Sequence, residues 1–448
     1  MTFQHISVAI PLLAEHENLP SLMERLCRQT CQDFSLYLCV NNPEGWETSS
    51  NAQERAMFAD NQASLEYLQA LDFSAMGFND IQSIRIIDRS SRGHGWTGKQ
   101  RGVGWARKVL FDAICDEHDD NELIVSLDAD TTFADNYLEA LLDFYNSKSI
   151  AEIAKSSALA VPYYHPLTGE ESIDRAMLRY DIYMRHYLAE MQWVSDELAS
   201  EYSSDSSSPA FRAFPYAFTA LGSAMVFTLG AYRRVGGITP LQGGEDFYLM
   251  QKFAKTGLVL TPHNIRPWTG EPTLRGNTVF PSSRPSLRVP FGTGPAIAKG
   301  LAVMDGSYPL YPHEGFAAVL DTYRAFPRLY DKDEETPMSA FLREQLKSSD
   351  LWGPLRCNFK SLPLFVHACA ERVDGLRILQ FLKQFRTAMP CQLSAEETLG
   401  LFCISHDIAL PPDFSFAKSP INEINTLRDR LFELTIDNNK RPVFLTLH

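Results

Sequence analysis

Compact apolar, β-branched runs alternate along the early chain with segments whose apolar positions recur every three or four residues. Ile6–Ile10 is such a run, closed by Pro11, and predicts a strand. Asn18–Thr30 places Leu19, Leu22, Met23 and Leu26 at helical spacing, with Pro20 near its start, and predicts a helix. Phe34–Val40 predicts a second strand, closed by Asn41-Asn42-Pro43. Strand, helix and strand in this order predict a right-handed βαβ unit. Gly45–Asn79 reads as an insertion with helical character, Ile81–Ile87 as a strand, Lys99–Ile114 as a helix and Leu123–Leu127 as a buried strand. The pattern predicts an α/β fold with a mostly parallel sheet. Ala213–Tyr232 carries no charge and is long enough to span a bilayer. Its Pro215, Gly222, Gly230 and polar side chains favour a buried strand and loop instead. Ser195–Ser208 is acidic and serine-rich and reads as a mobile loop. Past residue 300 the periodicity becomes helical, over Leu362–Met389, Ala395–Phe402 and Ile421–Leu434.

Length and charge narrow this picture. A chain of 448 residues exceeds one compact core. The expected division is an α/β domain over 1–299 and a helical C-terminal subdomain over 300–448. A hydrophobic share of 45% and a charged share of 21% are those of a soluble globular protein. A net charge of -14 argues against a nucleic-acid partner and against docking on anionic lipid. The eight cysteines form no CxxC pair, which fits reduced thiols and a cytoplasmic location. Met1–His5 has no basic stretch ahead of an apolar run, so no signal peptide is expected.

The chemistry gathers at strand ends. Leu123–Leu127 runs into Asp128-Ala129-Asp130, whose two carboxylates share one face of an extended chain. A parallel sheet takes its ligand outside the carboxyl ends of its strands. Two hard oxygen groups there suit Mg²⁺ or Mn²⁺ with phosphate oxygens, although a polar strand end entering a turn has the same letters. Lys99 and Arg107, on a predicted helix start, can neutralise a diphosphate or simply form a basic face. Glu245-Asp246 follows two glycine pairs and either caps a helix over Phe247–Lys255 or supplies a general base. His263 would add a borderline nitrogen donor, acceptable to Mn²⁺, beside Asp128 and Asp130. Arg266, Arg275, Arg284 and Arg288 surround Phe291-Gly292-Thr293-Gly294, and arginines there suit an anionic ligand or a plain surface. Trp96 and Trp268 suit stacking on a sugar or base, or core packing. Gly93–Gly98 has the outline of a dinucleotide fingerprint, the basis of an alternative NAD-linked Rossmann oxidoreductase. Asp88–Arg92 separates its first glycine from the strand, and the next strand-end acid, Asp128, comes about 30 residues after the loop instead of about 20.

Taken in order, these pieces resemble glycosyltransferase family 2, enzymes with the A-type nucleotide-sugar fold. Ile10-Pro11 with Glu15, Glu17, Asn18 and Leu19, then Arg28-Gln29-Thr30, is similar to the family's opening strand, turn and helix. Gly98-Lys99 and Ala106-Arg107 resemble its GK and AR helix, and Asp128-Ala129-Asp130 its DxD motif. Gly236-Gly237, then Glu245-Asp246, Leu249, Lys252 and Gly257, resembles its acceptor-side segment. The resemblance covers about residues 5 to 270. It implies a nucleotide-sugar half over 1–131 and an acceptor half over 132–299. It implies that Pro11, Glu15 and Asn41 line the nucleotide pocket, that Lys99 and Arg107 lie near the nucleotide, and that Asp128 and Asp130 hold a metal–diphosphate. Asp246, with Glu245 beside it, would deprotonate an acceptor hydroxyl on a glycan, a lipid-linked sugar or a small molecule. The chain departs from the family in having Asn41-Asn42 where an Asp-Asp pair contacts the base, and in lacking QxxRW. The expectation is a non-processive, inverting transferase. A non-catalytic binding protein of the same fold is a further alternative, against which the intact Asp128, Asp130 and Asp246 count.

Overall fold

In the computed structural model the described residues are 3, 5–76, 78, 83–148, 156–203, 214–260, 276–286, 292–302, 308–389 and 393–436. They divide into two compact units, one of residues 1–177 and 219–302, the other of 178–218 and 303–448.

The first unit is built on a seven-stranded mixed sheet of order β3-β2-β1-β4-β7-β6-β8. Its strands are β1 (Ile6–Leu12), β2 (Phe34–Asn41), β3 (Ser83–Arg89), β4 (Leu123–Ser126), β6 (Ser156–Ala160), β7 (Met225–Thr228) and β8 (Leu258–Leu260). Within it β7 runs antiparallel to β4 and β6, and the remaining pairs are parallel. A two-stranded ladder joins β5 (Thr132–Phe133) to β9 (Val279–Phe280). The expected α/β class with a mostly parallel sheet is the observed one. Every residue of β1, β2 and β4 is buried, as continuous apolar runs in a two-sided sheet require.

The helices that accompany the sheet are α1 (Leu19–Cys27), α2 (Ala52–Ala70), α3 (Val103–Glu117), α4 (Tyr137–Asn146), α5 (Glu171–Ser203), α6 (Leu229–Arg234) and α7 (Glu245–Thr256). Only residues 171–177 of α5 belong to this unit, and 178–203 belong to the other. The inserted segment of the sequence reading contains α2.

Several boundaries differ from the sequence reading. β1 runs through Pro11 to Leu12. Leu127 donates to the Ala9 carbonyl, so Ala9 faces β4 and Pro11, two residues on, faces the same side. The ladder with β4 has ended there, so the missing proline N–H is tolerated. The helix α3 begins only after Gly98 and Gly102, both at positive φ. Gly104 then lies so close to the 236–244 loop that an added Cβ would collide with the Leu241 carbonyl oxygen. The serine-rich loop is helical as far as Ser203, the end of the 33-residue α5, and residues 204–208 lie outside the described residues. The periodic Met177, Tyr180, Met191, Val194 and Leu198 of α5 are buried, which outweighs the polar composition of its last turns.

Ala213–Tyr232 contains the buried strand β7 and the start of the short helix α6, and no described helix is long and apolar enough to cross a membrane. The second unit is helical. Leu362–Met389 forms two helices, Leu362–Arg372 and Gly375–Ala388, because Asp374 caps the second by accepting from the Arg377 N–H at 3.1 Å. Residues 178–203 pack with the C-terminal helices. Arg428, fully buried, pairs with Asp181 at 3.2 Å, and Gln192 donates to the Thr435 carbonyl at 3.1 Å.

Candidate active site

The polar groups of the first unit gather at the carboxyl ends of β1 and β4. Glu15 follows β1, and Asp128 and Asp130 follow β4. Glu245 and Asp246 open α7, whose N-cap is Gly244 at φ 77°. That left-handed residue turns the chain into the helix, and few side chains tolerate it.

Arg107, on α3, joins these elements. Its side chain is 3% exposed, and its guanidinium pairs with Asp128 Oδ1 at 2.5 Å and also with Glu245. Its Nε donates to Ser126 Oγ at 3.2 Å, and Ser126 in turn donates to the Gly222 carbonyl at 2.8 Å. Gly222 has no room for a side chain, since an added Cβ would collide with the Arg107 guanidinium. Burial opposes the Arg107 charge, but Asp128, Glu245 and Asp246 hold it protonated. The carboxyls respond in the opposite sense. Burial raises Glu245 above its ordinary value, Arg107 draws it back, and Asp246 adds to the rise. The half-buried Asp246 is likewise raised by burial, against the pull of Arg107 and of a 2.7 Å hydrogen bond from the Phe247 N–H.

A second arginine closes the other side. Arg284 pairs with Asp130 Oδ2 at 2.9 Å and also with Glu15. It is brought there by topology, because β9 pairs with β5 just beyond Asp130 and returns the following residues to the strand end. Glu15 also accepts from Asn18 Nδ2 at 2.6 Å. Arg266, Arg275, Arg288 and Trp268 lie outside the described residues.

The expected nucleotide-pocket residues divide. Pro11 is buried near the end of β1, and Lys99 is exposed ahead of α3. Asn41 is buried and internally engaged, donating to the Leu12 carbonyl at 2.8 Å and accepting from the Trp96 indole at 3.1 Å. Asn61, on α2, was not among the residues expected from the sequence. It accepts from the Ala14 N–H at 2.8 Å and donates to the Asn41 carbonyl at 3.0 Å and to Asn42 Oδ1 at 2.8 Å. The signal was present in α2, where Asn61 and Ser64 share the buried face with Leu65 and Leu68. Asn61→Ala removes all of these bonds from a buried site. A loss of about 1–3 kcal/mol is expected in chemical denaturation, and an unchanged midpoint would mean the strut is dispensable.

No family model matches this chain, and no curated protein matches it. Among solved structures it is similar to S. aureus TarS 1–349 in complex with UDP-GlcNAc, at 11% identity, TM-score 0.36, over 83% of this chain and 91% of that one. It is also similar to the mannosyltransferase PcManGT from Pyrobaculum calidifontis in complex with GDP-Man and Mn²⁺, at 11% identity, TM-score 0.33, over 97% and 86% of the two chains. Likenesses at this level do not bear on what this chain does.

The donor chemistry fits a hard divalent cation at Asp128 and Asp130. Both offer carboxylate oxygens, and their side chains are 39% and 21% exposed. No third His, Cys, Asp or Glu among the described residues clusters with them, so phosphate and water would complete the shell. His263, expected as a further ligand, lies outside the described residues. Arg284, about a third exposed, is easier to displace from Asp130 than buried Arg107 is from Asp128.

The glycine loop does not serve the dinucleotide alternative. The Gly93 and Gly95 N–H groups both donate to the Glu44 carboxylate, at 3.0 Å and 2.9 Å. The next helix begins only at Val103, so no helix N-terminus stands behind Gly93–Gly98 to receive a pyrophosphate.

Proposed function

We propose that this chain is a metal-dependent glycosyltransferase of the family 2 kind, moving one sugar from a nucleoside-diphosphate sugar to a hydroxyl acceptor with inversion. The observation that carries this reading is the meeting of carboxylates at one end of the sheet, joined by arginines as Asp128–Arg107–Glu245 and Glu15–Arg284–Asp130, with Asp246 next to Glu245. In this reading 1–131 supplies the nucleotide-sugar half and 132–299 the acceptor half, except that 178–218 group with the helical C-terminal residues.

Asp128 and Asp130 would hold a Mg²⁺ or Mn²⁺ ion, whose Lewis acidity would offset the charge that develops on the departing diphosphate. Arg284 exchanges its carboxylate partners for the diphosphate when the donor enters, a geometry its planar fork favours. Asp246 accepts the proton of the acceptor hydroxyl as that oxygen attacks the anomeric carbon and the bond to the diphosphate breaks. Its raised pKa suits it to hold that proton. Arg107 and Glu245 fix the start of α7 and thereby aim Asp246. Asn41 supports the pocket by holding Leu12 and Trp96, and Pro11, Glu15 and Lys99 would line it.

The test is a thermal-shift panel of nucleoside diphosphates and nucleotide sugars, with and without Mn²⁺. One base should stabilise the protein selectively, and only with the cation, as linkage requires. Asp130→Ala should abolish the cation-dependent part of that shift. Stabilisation by no nucleotide, or by NAD(H) alone, would sink the reading.

A further inference from the structure

At the opposite end of the same sheet, two imidazoles and a carboxylate converge from three elements. His5 directly precedes β1, Glu122 directly precedes the adjacent strand β4, and His118 ends α3. His5 Nδ1 lies 2.8 and 2.9 Å from the two Glu122 oxygens, and His118 Nδ1 lies 3.6 Å from Glu122 Oε2. The two rings stack with centroids 5.2 Å apart, so both Nδ1 atoms address one carboxylate. Glu122 is anchored in place by Ser7, whose hydroxyl donates to Oε1 at 2.5 Å.

The outer nitrogens are held as well. His5 Nε2 is 3.3 Å from Ser35 Oγ, and His118 Nε2 is 2.9 Å from the Tyr37 hydroxyl. The Tyr37 hydroxyl donates its single proton to Glu117 Oε2 at 2.8 Å, so toward His118 it accepts, and Nε2 of His118 carries a proton. In the neutral ring the lone pair is therefore on Nδ1, aimed at a carboxylate oxygen. Two acceptors that face each other need a proton or a metal ion between them. An outer hydrogen bond that sets the tautomer is the usual companion of a metal-bound histidine.

We propose that His5, His118 and Glu122 bind one zinc-class divalent ion, which ties the amino ends of β1 and β4 to the end of α3. Two imidazole nitrogens and one carboxylate oxygen form the borderline donor set that Zn²⁺ favours. All three donor atoms lie within 4.8 Å of one another. Zinc bonds of about 2.0–2.1 Å set tetrahedral ligand separations of roughly 3.3 Å, within reach of small rotations. The His5 and His118 side chains are 20% and 21% exposed, so solvent reaches the cluster, and Glu122 is 5% exposed. The cluster is separate from Asp128 and Asp130, so it stands whether or not the chain transfers a sugar.

The experiment titrates the untagged, chelator-treated full chain with Zn²⁺ against a chromophoric competitor, and with Co²⁺ by absorption spectroscopy. The expected result is one equivalent per chain, a tetrahedral cobalt spectrum without thiolate charge transfer, and a rise in Tm. His118→Gln should abolish this site. Tyr37→Phe, which leaves all three ligands in place, should weaken it by roughly 10- to 100-fold. Circular dichroism of the metal-free variants separates lost binding from lost folding. No binding, a thiolate band from the cysteines, or equal affinity in correctly folded variants would overturn the proposal.

Discussion

Asp246→Asn lowers turnover by roughly 10²- to 10⁴-fold, the usual contribution of a positioned general base. Donor binding, read from the Mn²⁺-dependent thermal shift, stays within a few-fold of wild type, because the substitution removes a proton acceptor and no group that faces the diphosphate. Two further readouts separate this role from a structural one. The acid limb of the kcat/KM profile in the wild type lies above the ordinary aspartate range, since Asp246 must be deprotonated to act and burial raises its pKa. Stability changes in the favourable direction. A carboxyl raised in the folded state contributes stability below its unfolded pKa and loses it as pH rises through the folded value. At neutral pH the charged Asp246 therefore costs stability. A neutral amide at that position carries no such cost, so Asp246→Asn unfolds at a higher denaturant midpoint than wild type. A fully active Asp246→Asn would remove the base assignment.

Arg107→Met has the largest expected effect on stability. The side chain is buried between Asp128 and Glu245, so its loss leaves both without their shared cation. Breaking a buried pair in this way costs about 3–5 kcal/mol. The double variant Arg107→Met with Glu245→Gln should lose markedly less than the sum of its parts, as residues in one network are non-additive. A loss under about 1 kcal/mol for Arg107→Met alone would show that solvent replaces the guanidinium. Lysine is a poor substitute at this position, because a single ammonium cannot hold two carboxylates in the arginine's planar geometry.

The elements that build the sheet were legible because their apolar runs need no distant information. Ile6–Ile10, Phe34–Val40 and Leu123–Leu127 each supplied a buried strand. The same local reasoning located Asp128, Asp130, Glu245 and Asp246 at element ends, and the strand order explains why those ends can meet. It failed where a neighbour overrode the local preference. Pro11 does not stop β1 because its nitrogen faces a side that β4 has already left. Ser195–Ser203 is helical because Leu198 and the apolar positions before it are buried, whatever its polar letters suggest. The bonds of Asn41, expected to line the nucleotide pocket, to Leu12 and Trp96 are a further fact that only the assembled chain supplies.

Local pattern was enough to set the α/β class and to place carboxylates at the ends of strands and helices, because periodicity and chain punctuation are properties of neighbouring residues. The partners those carboxylates find depend on the assembled chain. Arg107 and Glu245 are far apart in sequence, as are Arg284 and Glu15, and each pair is brought together by strand order and by the short β5–β9 ladder. The same holds for His5, His118 and Glu122, which become neighbours because β1 and β4 are adjacent while α3 returns to their starting edge. Pairing between distant charges follows from which strands lie side by side, and no local pattern encodes that.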